Sequence, residues 1–118
     1  MVNTRVIGKL GEELAAKFLE EHGYKILTKN FSCKLGEIDL IAQESGQVVF
    51  IEVKARSTIS FGLPQEFVNY KKQSKIRQVA LYYLMKYHSE NFSCRFDVVA
   101  MVLVQGKAKK IELIKNAF

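Results

Sequence analysis

Two short stretches carry acidic and basic side chains inside otherwise apolar, β-branched runs. They are residues 36–41 (GEIDLI) and residues 49–56 (VFIEVKAR). Because side chains alternate between the two faces of a strand, Glu52 and Lys54 point to the same side. Charges in a buried strand are costly unless they are paired or bound to a metal. These residue types therefore indicate a metal site built from carboxylate oxygens with a lysine beside it, an arrangement that suits phosphodiester cleavage.

The position of a second carboxylate follows from the turn between these stretches. Residues 44–47 (ESGQ) predict a short hairpin turn. The two stretches should then pair as antiparallel neighbours, which brings Asp39 close to Glu52. Strict alternation along the first strand places Asp39 on the face of Ile41, opposite Ile38.

A purely structural interpretation of these charges is also open. Asp39 and Lys54 could form an ion pair at a sheet edge while Glu52 is exposed to solvent. For an isolated pattern of this kind, that interpretation is the more common one.

An amphipathic helix is predicted over residues 4–22 and ends at Gly23. On a helical wheel Glu12 lies at the border of the apolar face, whereas Glu13 points away from it. Glu12 is thus the carboxylate of this helix that can reach a site on the sheet. The alternative is that Glu12 is an ordinary surface carboxylate.

The remaining pattern predicts alternating strands and a second helix. Further strands are expected at residues 24–30, 94–104 and 109–114, a basic loop at 31–35, a loop at 57–64, a helix at 65–87 and a turn at 88–91. The second helix carries Lys71, Lys72 and Lys75, which form either a solvated face or a grip on a phosphate backbone. Its tyrosines are expected to pack rather than to stack on bases.

The strand at residues 94–104 is nearly continuous in apolar residues, which is typical of a central strand buried on both faces. Arg95 and Asp97 lie on one face of it, and a structural salt bridge is the preferred interpretation for Asp97. The long helix before this strand permits a crossover, so the third and fourth strands can run parallel. Together the elements predict an α/β fold with a mixed central sheet flanked by helices.

Length and composition limit the alternatives. The 118 residues are expected to form a single domain over 1–118, with a net charge of +6 that favours a polyanionic partner. The two cysteines, Cys33 and Cys94, are expected to be reduced thiols. No apolar run approaches the length of a membrane span, which indicates a cytoplasmic protein with no membrane partner.

The ordered motifs resemble the PD-(D/E)XK nuclease superfamily, and more closely the YraN family of small bacterial proteins within it. The resemblance implies a restriction-endonuclease-like α-β-β-β-α-β core. It spans nearly the whole chain and rests on Gly8 to Glu12, Gly23-Tyr24, Asn30, residues 36–41, residues 50–56, Phe61-Gly62, Lys72, Lys75 and residues 94–99.

The resemblance also implies roles for individual residues. Asp39 and Glu52 would be the metal-binding carboxylates, and Lys54 would orient the attacking water or stabilise charge on the phosphate. Glu12 would match the acidic residue that resolvase-like members supply from the first helix and could bind a second ion. The proline that names the motif is missing, since Ile38 precedes Asp39. The expected cofactor is Mg²⁺ or Mn²⁺, and the expected nucleic-acid-binding residues are Arg56, Lys71, Lys72, Gln73 and Lys75.

The leading hypothesis is accordingly a metal-dependent endonuclease acting on structured or branched DNA. The alternatives are a noncatalytic nucleic-acid-binding domain that retains the fold, and a protein-interaction module with a vestigial site. A junction-cutting role would need two active sites, which favours a homodimer. An unidentified protein partner that completes the activity is left open.

Overall fold

The described chain forms two helices and five strands. The computed structural model describes residues 4–57, 68–88 and 93–118. In chain order the elements are α1 (Thr4–Glu21), β1 (Lys25–Cys33), β2 (Gly36–Glu44), β3 (Gln47–Arg56), α2 (Tyr70–Tyr87), β4 (Cys94–Val104) and β5 (Lys107–Ile114).

The five strands form one mixed sheet in the order β1-β2-β3-β4-β5. β3 and β4 run parallel, because α2 carries the chain back across the sheet between them. The other neighbouring pairs are antiparallel. The mixed sheet and the parallel crossover predicted from the sequence are confirmed.

The hairpin between β2 and β3 has the tight turn that the sequence predicts. Glu44 pairs with Gln47, and the two residues between them, Ser45 and Gly46, have φ of 53° and 76°. Positive φ at both central positions matches the right-handed twist of the flanking strands, and glycine adopts it without steric cost. This turn sets the register that brings the two charged strands together.

Each helix covers one face of the sheet. Phe50 and Val98 pack with Val79 of α2, whereas Leu40 and Ile51 pack with Leu19 of α1. The alternation predicted for β3, with Phe50 opposite Ile51, is therefore confirmed. The sheet is buried on both faces, so a charged side chain on β2 or β3 meets a helix.

Two predicted boundaries are wrong by more than two residues. β1 continues to Cys33 where a loop was expected. The cause is that Phe31 pairs with Ile38 of β2, and the Phe31 ring lies edge-on to the Tyr83 ring at a centroid distance of 5.1 Å. α2 begins at Tyr70 rather than at residue 65, since the Asn69 side chain accepts a hydrogen bond from the Lys72 N–H and caps the helix.

Some predictions lie outside the described residues. These are the loop at 57–64 beyond Ser57, including Phe61-Gly62, and the turn at 88–91 beyond His88. Neither α1 nor α2 is long and apolar enough to cross a membrane.

Candidate active site

The β2 strand departs from strict alternation at Asp39. Ile38 and Ile41 both lie in the core beneath α2, whereas Leu40 and Ala42 lie on the α1 side. The prediction that Ile38 and Ile41 occupy opposite faces is therefore wrong. A local irregularity at a sheet position often re-aims one side chain.

Asp39 uses its side chain to join β2 to β3. Regular pairing of these strands runs from Leu40 opposite Ile51 toward the turn. Beyond that pair, Asp39 Oδ2 accepts a hydrogen bond from the Val53 N–H at 2.9 Å. The carboxylate thus lies beside residues 52 and 53, as the predicted antiparallel pairing requires.

Glu52 is buried on the α2 side of β3. The residue is 4% exposed, and its Oε2 lies 2.9 Å from Lys72 Nζ in the first turn of α2. The structural interpretation in which Glu52 is exposed to solvent is therefore wrong. A buried carboxylate requires a counter-charge, and here a lysine supplies it.

Burial and neighbouring carboxylates raise the pKa of two acids at this site. Burial, followed by the nearby Glu52 carboxylate, raises the pKa of Asp39 to about 7. Burial also raises the pKa of Glu12, against hydrogen bonds that its carboxylate accepts from Asn30 and Asp39. The sequence prediction that Glu12 reaches the sheet site agrees with this contact. Clusters of perturbed carboxylates are typical of functional sites.

A close contact between α1 and β3 brings Glu12 within reach. A Cβ added to Gly11 would lie 2.6 Å from the Ala55 Cβ, so this position accepts only glycine at the observed helix–sheet distance. Sequence reasoning did not assign this role to Gly11 or Ala55. The small residues at both positions were the available signal.

Two lysines lie side by side next to the acidic group. Burial, followed by contact with Lys72, lowers the pKa of Lys54 to about 8. Burial acts in the same direction on Lys72, but hydrogen bonds with Lys54 and Glu52 raise its pKa overall. Lys72 therefore keeps its proton, while Lys54 is poised to exchange one near neutral pH.

The other predicted binding residues are spread around the site. Lys71 and Lys75 are exposed on α2. Gln73 donates from Nε2 to the Val68 carbonyl at 2.8 Å, so its amide supports the start of α2. Arg56 lies at the end of β3 and, with Lys54 and the start of α1, lines an open groove of about 250 Å³.

The donor set suits a hard divalent cation. Mg²⁺ takes oxygen ligands and keeps several waters, so two carboxylates and a backbone carbonyl suffice. Among the described residues, no three His, Cys, Asp or Glu side chains are gathered tightly enough to hold a metal by themselves. Asp39 and Glu52 supply two carboxylates of the type that Mg²⁺ or Mn²⁺ binds, and backbone carbonyls or water would have to supply the other ligands.

A second charged group is buried on the α1 side, next to the β2–β3 turn. Arg95 donates to both carboxylate oxygens of Asp97 and to the Tyr24 hydroxyl, and it pairs with Glu44. Tyr24 donates to Asp97 Oδ2 at 2.9 Å. The predicted salt bridge of Asp97 is confirmed. The sequence had not indicated Tyr24 or Glu44, which come from distant positions in the chain.

This architecture defines the class of protein. The chain runs through one helix, three strands, a crossover helix and two further strands, and the strands form one mixed sheet. Acidic residues and a lysine lie where β2 meets β3. The predicted α/β fold with an α-β-β-β-α-β order of core elements is confirmed, and a fifth strand follows.

Two solved structures are similar to part of this chain. The crystal structure of a repair endonuclease from Pyrococcus abyssi is 18% identical, with a TM-score of 0.46, and the match covers 80% of this chain and 38% of that chain. The EndoMS–dsDNA2 complex is 19% identical, with a TM-score of 0.42, and the match covers 82% of this chain and 38% of that chain.

Sequence comparison identifies the family. The family model described as "Uncharacterised protein family UPF0102" matches residues 11–101. A UPF0102 protein of Caldicellulosiruptor bescii is 49% identical over 120 residues, covering 99% of this chain and 100% of that protein. A UPF0102 protein of Caldanaerobacter subterraneus subsp. tengcongensis is 45% identical over 119 residues, covering 99% and 98% of the two chains. The chain belongs to the UPF0102 family, and the resemblance to YraN is confirmed.

Proposed function

We propose that this protein is a metal-dependent endonuclease that hydrolyses phosphodiester bonds in structured or branched DNA. One observation carries the proposal: Asp39, Glu52 and Lys54 converge where β2 meets β3. Burial and the neighbouring Glu52 carboxylate raise the pKa of Asp39 there. A stable fold does not require two acids at such a position, because mutual repulsion and burial both disfavour their ionised forms.

Each residue of the site has a distinct task. Asp39, Glu52 and the Val53 carbonyl would hold Mg²⁺ or Mn²⁺, which when bound supplies a Lewis acid for the phosphate and for water. Lys54, with a pKa of about 8, orients the attacking water and exchanges protons with it. Glu12 hydrogen-bonds to Asp39 from α1 and holds that carboxylate in place, or binds a second ion.

The surrounding charge suits a nucleic-acid backbone. The chain has a net charge of +6, and the exposed Lys71 and Lys75 lie on the same helix as Lys72. Phosphate contacts of this kind position a duplex without reading its sequence. The substrate that we propose is structured or branched DNA in the cytoplasm.

A second candidate is a noncatalytic nucleic-acid-binding domain. The ion pair between Glu52 and Lys72 favours it, because this pair satisfies the buried carboxylate without a metal. The two candidates differ in whether bound DNA is cleaved in the presence of a divalent ion.

Cleavage assays separate the two candidates. Labelled linear, nicked, flapped and four-way-junction DNA would be incubated with Mg²⁺ or Mn²⁺ and with the wild type, Asp39→Ala or Glu13→Ala. We expect cleavage by the wild type and by Glu13→Ala, whose exposed carboxylate lies one residue from Glu12. Asp39→Ala should bind DNA without cutting it. If the wild type binds DNA but cuts none of these substrates with either ion, the noncatalytic candidate replaces the nuclease.

A further inference from the structure

The Glu52 carboxylate, which the proposed function assigns to a metal, is already paired with a lysine of the same chain. Lys72 Nζ lies 2.9 Å from Glu52 Oε2. Glu52 is 5% exposed at its side chain, whereas Lys72 is 41% exposed. The ammonium therefore approaches a buried acid from the solvent side, which is also the side from which a hydrated cation must enter.

The start of α2 holds Lys72 in this position. Asn69 Oδ1 accepts a hydrogen bond from the Lys72 N–H at 2.9 Å, which anchors the backbone of the residue that carries the ammonium. The same ammonium contacts Lys54. The opposite charge of the Glu52 carboxylate at 2.9 Å attracts the Lys72 ammonium and favours this position.

Other cations of this helix do not share the arrangement. Lys71 and Lys75 flank Lys72 in the sequence, and both are exposed. A diffuse positive surface on α2 would not require Lys72 to contact the buried Glu52 carboxylate. The position of Lys72 is thus specific to the acidic site.

We propose that Lys72 is a tethered counterion that occupies the place of a divalent cation at Glu52 and competes with it. A divalent cation held by Asp39 and Glu52 would take the place of the ammonium at Glu52, and Lys72 would then be available to pair with a substrate phosphate. Lys72 is a positioning residue in this scheme: it orients the Glu52 carboxylate and makes metal binding weaker than the two carboxylates alone would allow. The inference rests on the proposed metal site.

Metal affinity measured without any substrate tests this competition. Mn²⁺ would be titrated into the protein at fixed pH and ionic strength, and free Mn²⁺ would be followed by electron paramagnetic resonance. We expect Lys72→Gln to bind Mn²⁺ about fivefold to tenfold more tightly than the wild type, because a charge-assisted hydrogen bond to a buried acid is removed. Lys72→Arg keeps the competing charge and should bind like the wild type.

Lys71→Gln is the matched control, since it removes the same charge from the neighbouring exposed position. Its affinity should change by less than about twofold because solvent and salt screen that charge. Thermal unfolding supplies a second measurement. Lys72→Gln should unfold at a lower temperature than the wild type without metal, and Mn²⁺ should raise its midpoint more.

Two results would overturn the proposal in distinguishable ways. If wild-type Mn²⁺ binding is lost in Asp39→Ala but Lys72→Gln binds no more tightly than the wild type, Lys72 is not a competitor and the metal site stands. If wild-type Mn²⁺ binding is absent or unaffected by Asp39→Ala, the metal site itself is wrong and the counterion role falls with it.

Discussion

At the scale of single residues, the site places ionisable groups where folding alone would disfavour them. Asp39 has a pKa of about 7 because it is buried and lies near Glu52. Lys54 has a pKa of about 8 because it is buried beside Lys72. Both values are close to neutrality, where a metal ligand can deprotonate and a lysine can exchange a proton with water. Their burial therefore lowers the stability of the fold, an expense that is typical of functional sites.

The expense can be measured at Asp39 through its pH dependence. Its folded-state pKa of about 7 lies above the ordinary value of 3.8, so its ionisation destabilises the fold progressively as the pH rises from about 4 through 7. Asp39→Asn should therefore raise the free energy of unfolding by about 1–3 kcal/mol at pH 8 and by less at pH 5. Urea denaturation at both pH values gives this difference. An equal gain in the free energy of unfolding at pH 5 and pH 8 would contradict the raised pKa of Asp39.

At the scale of elements, the site depends on how closely α1 approaches β3. Gly11 and Ala55 allow this approach, and Glu12 follows Gly11 on the helix. A larger side chain at either position would separate helix and strand and move the Glu12 carboxylate away from Asp39. The distance between these elements is therefore part of the site.

Two glycines of α1 test this contact. Gly11→Ala should lower the free energy of unfolding by about 1–3 kcal/mol, because its Cβ would meet the Ala55 Cβ at 2.6 Å. Gly8→Ala is the matched control, since nothing lies within 4 Å of its added Cβ. Higher helix propensity should make that variant about 0.5–1 kcal/mol more stable. Urea denaturation of both variants is the measurement, and equal stabilisation by both would refute the close contact.

At the scale of the whole molecule, charged groups lie at both ends of the β2–β3 hairpin. The candidate site occupies the end at Asp39 and Val53, whereas Arg95 binds Glu44 and Gln47 beside the turn. The network at the turn is satisfied internally, because Asp97 also accepts the Asn116 N–H and the Tyr24 hydroxyl. It ties the C-terminal segment and the end of α1 to the centre of the sheet, and we assign it a structural role.

Removing Arg95 alone should lower the free energy of unfolding more than removing Arg95 and Asp97 together. Arg95→Met should lower the free energy of unfolding by about 3–5 kcal/mol, because Asp97 is 0% exposed and would lose its counter-charge. Arg95→Met combined with Asp97→Leu should recover part of that loss. Equilibrium urea unfolding of the single and double variants provides the comparison. A double variant less stable than Arg95→Met would show that the network needs its charges.

Local sequence patterns alone predict the order of the elements, the β2–β3 turn and the candidate acids. Hydrophobic periodicity and the Glu44–Gln47 turn are local signals, so they predict helices, strands and their antiparallel register without the rest of the molecule. Composition and motif order also led to the family. The strand boundary at Cys33 could not be read locally, because Tyr83 of α2 packs against Phe31.

The contacts that complete the site depend on the tertiary structure. The partners of Glu52, Asp39 and Glu12 come from other elements, namely Lys72, the Val53 N–H and Asn30. Such contacts depend on helix–sheet distances and on one irregular strand position, and neither has a periodic signature in the chain. The sequence could name the acids of the site, but burial by distant segments raises the pKa of Asp39 and Glu12, and the packing of α2 places Lys72 beside Glu52.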